Sequence, residues 1–165
     1  MHQLQNVSLK ELQQARKKDP RVHFGLYTSK MPCKVVKVYD ADTITLAFRV
    51  PVPQPPPKHL IVYRSCRISG IDAPELRTSD PEEREAAQQG ADQLRNLIID
   101  EIMYMDSVGP DKYGRPLVDL YASPFSSARL QRKLGRQCIS EWIFENLPKI
   151  VRYDGKRKPT FKERE

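Results

Sequence analysis

The sequence predicts an α+β fold in which a small five-stranded β-barrel carries two to three packed helices. Three observations lead there: runs in which apolar and polar residues alternate, proline and glycine breaks between those runs, and stretches whose apolar residues recur at helical spacing. At 165 residues the chain has the length of one domain, enough to bury a core with a tail or two to spare. Its net charge of +7 and pI near 9.4 favour a polyanionic partner. No apolar stretch approaches the roughly 18 residues of a membrane span, so a membrane protein is not expected. Met1 to Asn6 lack the charged and apolar regions of a secretory signal, which suggests an intracellular location. Cys33, Cys66 and Cys138 are far apart and in no Cys-x-x-Cys spacing, so neither a disulfide framework nor a zinc site is implied. Cys66 and Cys138 read instead as small core hydrophobes.

Residues 1–32 read as an N-terminal extension. Ser8-x-x-Glu11 is a capping box, and Leu9, Leu12 and Ala15 give a short helix one weak apolar stripe that Asp19-Pro20 ends. Its basic residues suit a solvated face or a phosphate contact. Cys33 to Tyr39 is a first strand. Ile44, Leu46, Phe48 and Val50 alternate with Thr43, Thr45, Ala47 and Arg49 in a second, so the two meet across a tight acidic turn. Pro51 to Pro57 cannot join a ladder because proline lacks the donor. It reads as a stiff hairpin tip, and a proline-recognising protein partner is a second reading for it.

Leu60 to Ile68 is a third strand. Asp80 as cap, Pro81 in the first turn and Glu83 three residues on from the cap start a helix that Ala87, Ala91, Leu94 and Ile98 make amphipathic to about residue 99. Glu101 to Asp106 and Leu117 to Ala122 are the fourth and fifth strands, with a turn-rich loop at 109–116 between them. Residues 123–137 read as a polar connection. Leu134, Cys138 and Trp142 with Ile139, Ile143 and Leu147 then make helical stripes ending near Pro148, and residues 152–165 form a charged tail expected to be partly disordered. Five strands with helices after the third and fifth are the inventory of an OB-type barrel, placed at 33–151. One small core consumes the predicted apolar faces, so a monomer is expected.

The stretch Cys66 to Leu76 concentrates the chemistry. Alternation takes Arg67 out of the core-facing row, and Gly70 and Pro74 then break the strand, leaving Asp72 and Glu75 on a turn beside the arginine. One reading is a surface ion cluster. The other is a phosphodiester site, where arginine forks phosphate oxygens and carboxylates hold a hard cation or take a proton from water. Asp40 and Asp42 likewise suit either a turn or a divalent cation.

Asp40-Ala41-Asp42-Thr43, then Arg67 followed by Ile71-Asp72-Ala73-Pro74-Glu75, then Asp111-Lys112-Tyr113-Gly114-Arg115 closely resemble, in this order, the staphylococcal (micrococcal, thermonuclease-like) nuclease family. The resemblance covers about residues 33–151. It implies a calcium-dependent phosphodiesterase cleaving DNA or RNA with little sequence preference and leaving 3′-phosphate ends. It also implies Arg67, Glu75 and Arg115 as catalytic residues, and Lys112 and Tyr113 as nucleotide-phosphate contacts. Asp42, Asp72 and the Ala73 carbonyl would be the calcium ligands, with Asp40 in the outer shell. The alternative is a catalytically inactive OB-fold module that binds nucleic acid or protein, as degenerate copies of this fold do. Two departures stand out: Ala41 replaces a glycine, which predicts strain in a turn wanting a left-handed residue, and Ala73 replaces a frequent threonine.

Overall fold

The computed structural model describes residues 27–52 and 58–164. The expected N-terminal helix and the heart of the proline-rich loop lie outside the described residues. Five strands close a barrel in the order β1–β2–β3–β6–β5: β1 Tyr27–Val38, β2 Thr43–Val52, β3 Lys58–Ile68, β5 Ile102–Pro110 and β6 Pro116–Ala122. β5 returns to pair with β1, and only the β3–β6 seam is parallel, at Arg67↔Leu117 and Ile68↔Val118. Two short strands, β4 Ile71–Asp72 and β7 Val151–Arg152, pair beside the barrel. The helices are α1 Pro81–Ile98, α2 Ala128–Leu134 and α3 Ile139–Asn146, followed by a 3-10 turn at Phe161–Glu163. Among the described residues, no helix is long and apolar enough to cross a membrane.

Inward-facing residues of the strands fill the barrel. Val35, Ile44, Leu46, Cys66, Ile68, Met103, Met105, Val118 and Leu120 are all fully buried. A bulge between Val35 and Lys37 lets both Val35 and Val38 face inward despite their odd spacing. α1 closes one end with Ala87, Ala91, Leu94 and Ile98, the stripe read from the sequence. Asp80 caps it by accepting from the Glu82 and Glu83 N–H groups, with Pro81 in the first turn.

β2 runs past the expected break, pairing Pro51 with His59 and Val52 with Lys58, because an antiparallel strand at the hairpin end tolerates a missing donor. Four further elements differ from the sequence reading. β1 begins at Tyr27 rather than Cys33, because 27–32 pair with β5 as far as Tyr27↔Val108; Lys30, at φ 51°, and a register shift hide the alternation there. The 123–137 connection contains α2, whose only buried residues are Leu130 and Leu134, too few to show as a stripe. Gly135, at φ 55°, separates α2 from α3, so the stripes read as one segment belong to two helices. The charged tail folds back on the barrel: Arg164 is buried, and Lys158 and Arg164 both bond Asp72.

Truncating Leu94 to Ala, which removes a fully buried side chain where α1 meets the barrel, is expected to cost about 2–5 kcal/mol in urea unfolding. A loss below roughly 1 kcal/mol would mean that α1 contributes little to the core.

Candidate active site

Alternation in β3 sends Cys66 and Ile68 into the core and leaves Arg67 on the other face, opposite Thr43 of β2. That register sets the guanidinium beside the β1–β2 turn. Its Nη2 lies 3.1 Å from Asp42 Oδ2 and 2.6 Å from Asp72 Oδ1, so one arginine bridges the two aspartates. Gly70, at φ 76°, permits the reversal after β3, and the Tyr153 N–H donates to its carbonyl.

Asp42 is buried and accepts at both oxygens. Its Oδ2 accepts the Ala73 N–H at 2.9 Å, while Oδ1 accepts the Thr43 hydroxyl and an Arg67 N–H. Asp40 accepts the Asp42 N–H through Oδ1 at 3.1 Å. Burial, together with the charge of Asp42, pushes the Asp40 carboxyl up to about 7. The strain expected at Ala41 is absent: it is not among the described non-glycine residues with positive φ. The Tyr39 and Asp40 N–H groups close the turn on the Thr43 carbonyl, and the Ala41 methyl seats against α1, where a β-carbon on Gly90 would lie 3.3 Å from it.

Asp72 has no exposed surface. Its Oδ1 takes Arg67 at 2.6 Å and Lys158 Nζ at 2.7 Å, and its Oδ2 takes Arg164 at 2.5 Å. Burial pushes its carboxyl up, but Lys158, Arg67 and Arg164 together hold it below the ordinary carboxylate range. Glu75 follows on the exposed turn; its N–H donates to Glu83 Oε1 at 3.2 Å and its Oε1 accepts Lys158 Nζ at 3.0 Å. Glu83 therefore positions Glu75 and does not complete a capping box on Asp80.

The β5–β6 loop is organised by Asp111. It accepts the backbone N–H groups of Tyr113 and Arg115 at 2.8 and 2.9 Å and the Arg115 Nε at 2.8 Å. Burial works against its ionisation, yet these donors hold the Asp111 carboxyl below its usual range. The Lys112 ammonium and the Arg115 guanidinium both lie over the ring of Tyr113, which is largely exposed.

One cavity of about 870 Å³ is lined by Asp40, Asp42, Arg67, Ala73, Glu75, Lys112, Tyr113 and Arg115. Of the residues singled out from the sequence, only Asp72 is missing from its wall; it lies sealed behind Arg67, Lys158 and Arg164. The sequence reading placed Asp111 in its third motif and Glu83 at the helix start without a site role for either, and gave none to Lys158 and Arg164. Asp111 at the head of a turn gave a local signal; the tail cations gave none, because a charge run ordinarily stays solvated.

Carboxylate and carbonyl oxygens suit a hard divalent cation, and the Asp40–Asp42 pair holds more negative charge than Arg67 alone neutralises. On the Asp72 side a cation is already in place, the Lys158 ammonium between Asp72 and Glu75. Among the described residues no three acidic, histidine or cysteine side chains converge as a free ligand set.

Fold and site together define an OB-type barrel with a pocket of arginines and carboxylates on its flank. The sequence model of the staphylococcal nuclease homologue family matches residues 65–149, and the chain belongs to that family, whose members are generally nucleases. The match takes in Arg67, Asp72, Glu75 and the Arg115 loop and leaves the Asp40–Asp42 turn and Lys158 outside. No curated protein matches the sequence significantly.

Asp40 yields a stability test. A carboxyl raised to about 7 stabilises the fold fully below its unfolded value of 3.8 and loses that contribution as pH rises through about 7. Asp40→Asn, which keeps the oxygen acceptor, is expected to gain on wild type by on the order of 2 kcal/mol between about pH 5 and about pH 8 in denaturant melts. A pH-independent difference would show that Asp40 ionises freely.

Proposed function

We propose that the protein hydrolyses phosphodiester bonds of DNA or RNA with little sequence preference, leaving 3′-phosphate ends. The observation that carries this reading is convergence: Asp42, Arg67, Glu75 and Arg115, from three separate stretches, line one cavity with Lys112 and Tyr113. Arg67 and Arg115 neutralise charge building on phosphorus. Each is held by a carboxylate before substrate arrives, Arg67 by Asp42 and Asp72 and Arg115 by Asp111, so little reorganisation is left for the reaction. Glu75, half-exposed at the cavity, takes the proton of the attacking water. Lys112 and Tyr113 bind a neighbouring phosphate. These groups grip phosphate and sugar and read no base edge, which accounts for sequence indifference.

Calcium is the proposed cofactor. Asp42, Asp72 and the Ala73 carbonyl would hold it with Asp40 behind, and when bound it would polarise the scissile phosphate. The second reading, a nucleic-acid-binding module without catalysis, is favoured by one observation: Lys158 occupies Glu75, and a base so engaged accepts no proton until the lysine leaves.

Digestion of single-stranded DNA, duplex DNA and RNA with calcium and with a chelator tests both readings. Calcium-dependent cleavage with 3′-phosphate ends, reduced roughly a hundredfold or more by Glu75→Gln, is expected. Arg115→Ala is expected to lower the maximal rate far more than the affinity for DNA. Tight binding without cleavage under every divalent cation tried would establish the binding module.

A further inference from the structure

We propose that Lys158 is the resident counter-ion of Asp72 and Glu75 and competes with the divalent cation for Asp72, so that the C-terminal segment sets the metal affinity of the site. The inference rests on the cation-dependent reading above.

Geometry makes the competition direct. Asp72 Oδ1 already accepts Arg67 and Lys158, which fills its two lone pairs, while Oδ2 faces Arg164. A divalent ion sits roughly 2.3–2.6 Å from a carboxylate oxygen. Lys158 Nζ sits 2.7 Å from Asp72 Oδ1 and 3.0 Å from Glu75 Oε1, so an ion ligated there displaces the ammonium.

Of the three cations on Asp72, Lys158 is the one able to leave. Its side chain is 41% exposed, against 10% for Arg67 and 3% for Arg164. Arg164 is stapled at several points: Nη1 donates to the Asp72 and Lys149 carbonyls, and its own carbonyl accepts Lys149 Nζ. Lys158 lines the cavity and Asp72 does not, so withdrawing the lysine uncovers the aspartate toward the pocket and frees Glu75 in the same movement. The backbone allows this locally. Tyr153 is tied to Gly70 on one side and Arg164 to Asp72 on the other, with Gly155 at φ 90° between them, so the stretch around Lys158 can swing while both anchors hold.

Linkage makes the effect reciprocal: the factor by which Lys158 weakens the cation is the factor by which the cation weakens the hold on Lys158. Equilibrium dialysis of calcium against the whole protein, Lys158→Met and Lys156→Met reads the first. Lys156 is an exposed neighbour paired only with Asp154 among the described residues, and its substitution removes the same charge without touching the site. Lys158→Met is expected to tighten calcium binding at least about fivefold and Lys156→Met to change it less than about twofold. Hydrogen exchange of the wild type reads the second, with calcium expected to speed exchange of the backbone around Lys158. If Lys158→Met does not fold, Lys158→Gln carries the same comparison.

Equal calcium affinity in the wild type and Lys158→Met, or equal tightening by both lysine substitutions, overturns the competition and leaves the calcium reading standing. Absence of calcium binding by the wild type and Lys158→Met alike overturns the calcium reading itself, and the competition with it.

Discussion

A carboxylate with no exposed surface, held by three cationic side chains, is the constraint on which the site depends. Asp72 draws Arg67 from β3, Lys158 from the tail and Arg164 from the last turn onto one group, tying the barrel to a segment distant in sequence. A lone buried carboxylate is costly and would shift toward its neutral form; here the cations hold it ionised. Removing either arginine would leave the carboxylate short of a partner in low dielectric, so the arrangement is structural before it is chemical.

Arg67 links that structural role to the proposed chemistry. A side chain aimed at phosphate must be rigid, and rigidity here comes from the register of β2 and β3. The unbroken ladder sets Arg67 opposite Thr43, hence beside the Asp40–Asp42 turn, and the parallel pairing to β6 fixes the same residue from the other side. The barrel fixes the angle of the guanidinium, and the two aspartates fix its position. Arg115 reaches a similar state by local means, through a loop wrapped on Asp111.

The barrel was legible because its signals are local. Ile44, Leu46 and Phe48 alternate and Asp80-Pro81 caps α1, whereas the expected break after Val50 fails, since the β2–β3 ladder runs on through Pro51↔His59 and Val52↔Lys58. The site residues near the turns were legible for the same reason, since Arg67, Asp72 and Glu75 sit within one short stretch. What escaped was non-local. The tail's lysines and arginines look like any solvated charge run, and only its pairing of Val151 with Asp72 and of Arg152 with Ile71 brings them to the pocket. The start of β1 escaped because its partner is β5, far along the chain, and α2 because a polar helix with two buried leucines carries almost no stripe.

Charge counting shows how the proposed exchange of Lys158 would bear on the proposed hydrolysis as well as on binding. Asp40, Asp42, Asp72 and Glu75 are four carboxyl groups against three internal cations, Arg67, Lys158 and Arg164, while Arg115 is matched by Asp111. With Asp40 raised to about 7, the resting site is close to neutral. A phosphodiester brings one negative charge, and attack by hydroxide on phosphorus adds another. Replacing an ammonium by a divalent cation raises the local charge by one, at the point where the transition state becomes one unit more negative. The surface excess of basic residues steers a polyanion toward the barrel, but screened charges at that range add little at phosphorus. The proposed cation exchange would act within contact distance, in a pocket already ordered by its own ion pairs, where the same unit of charge has its largest effect.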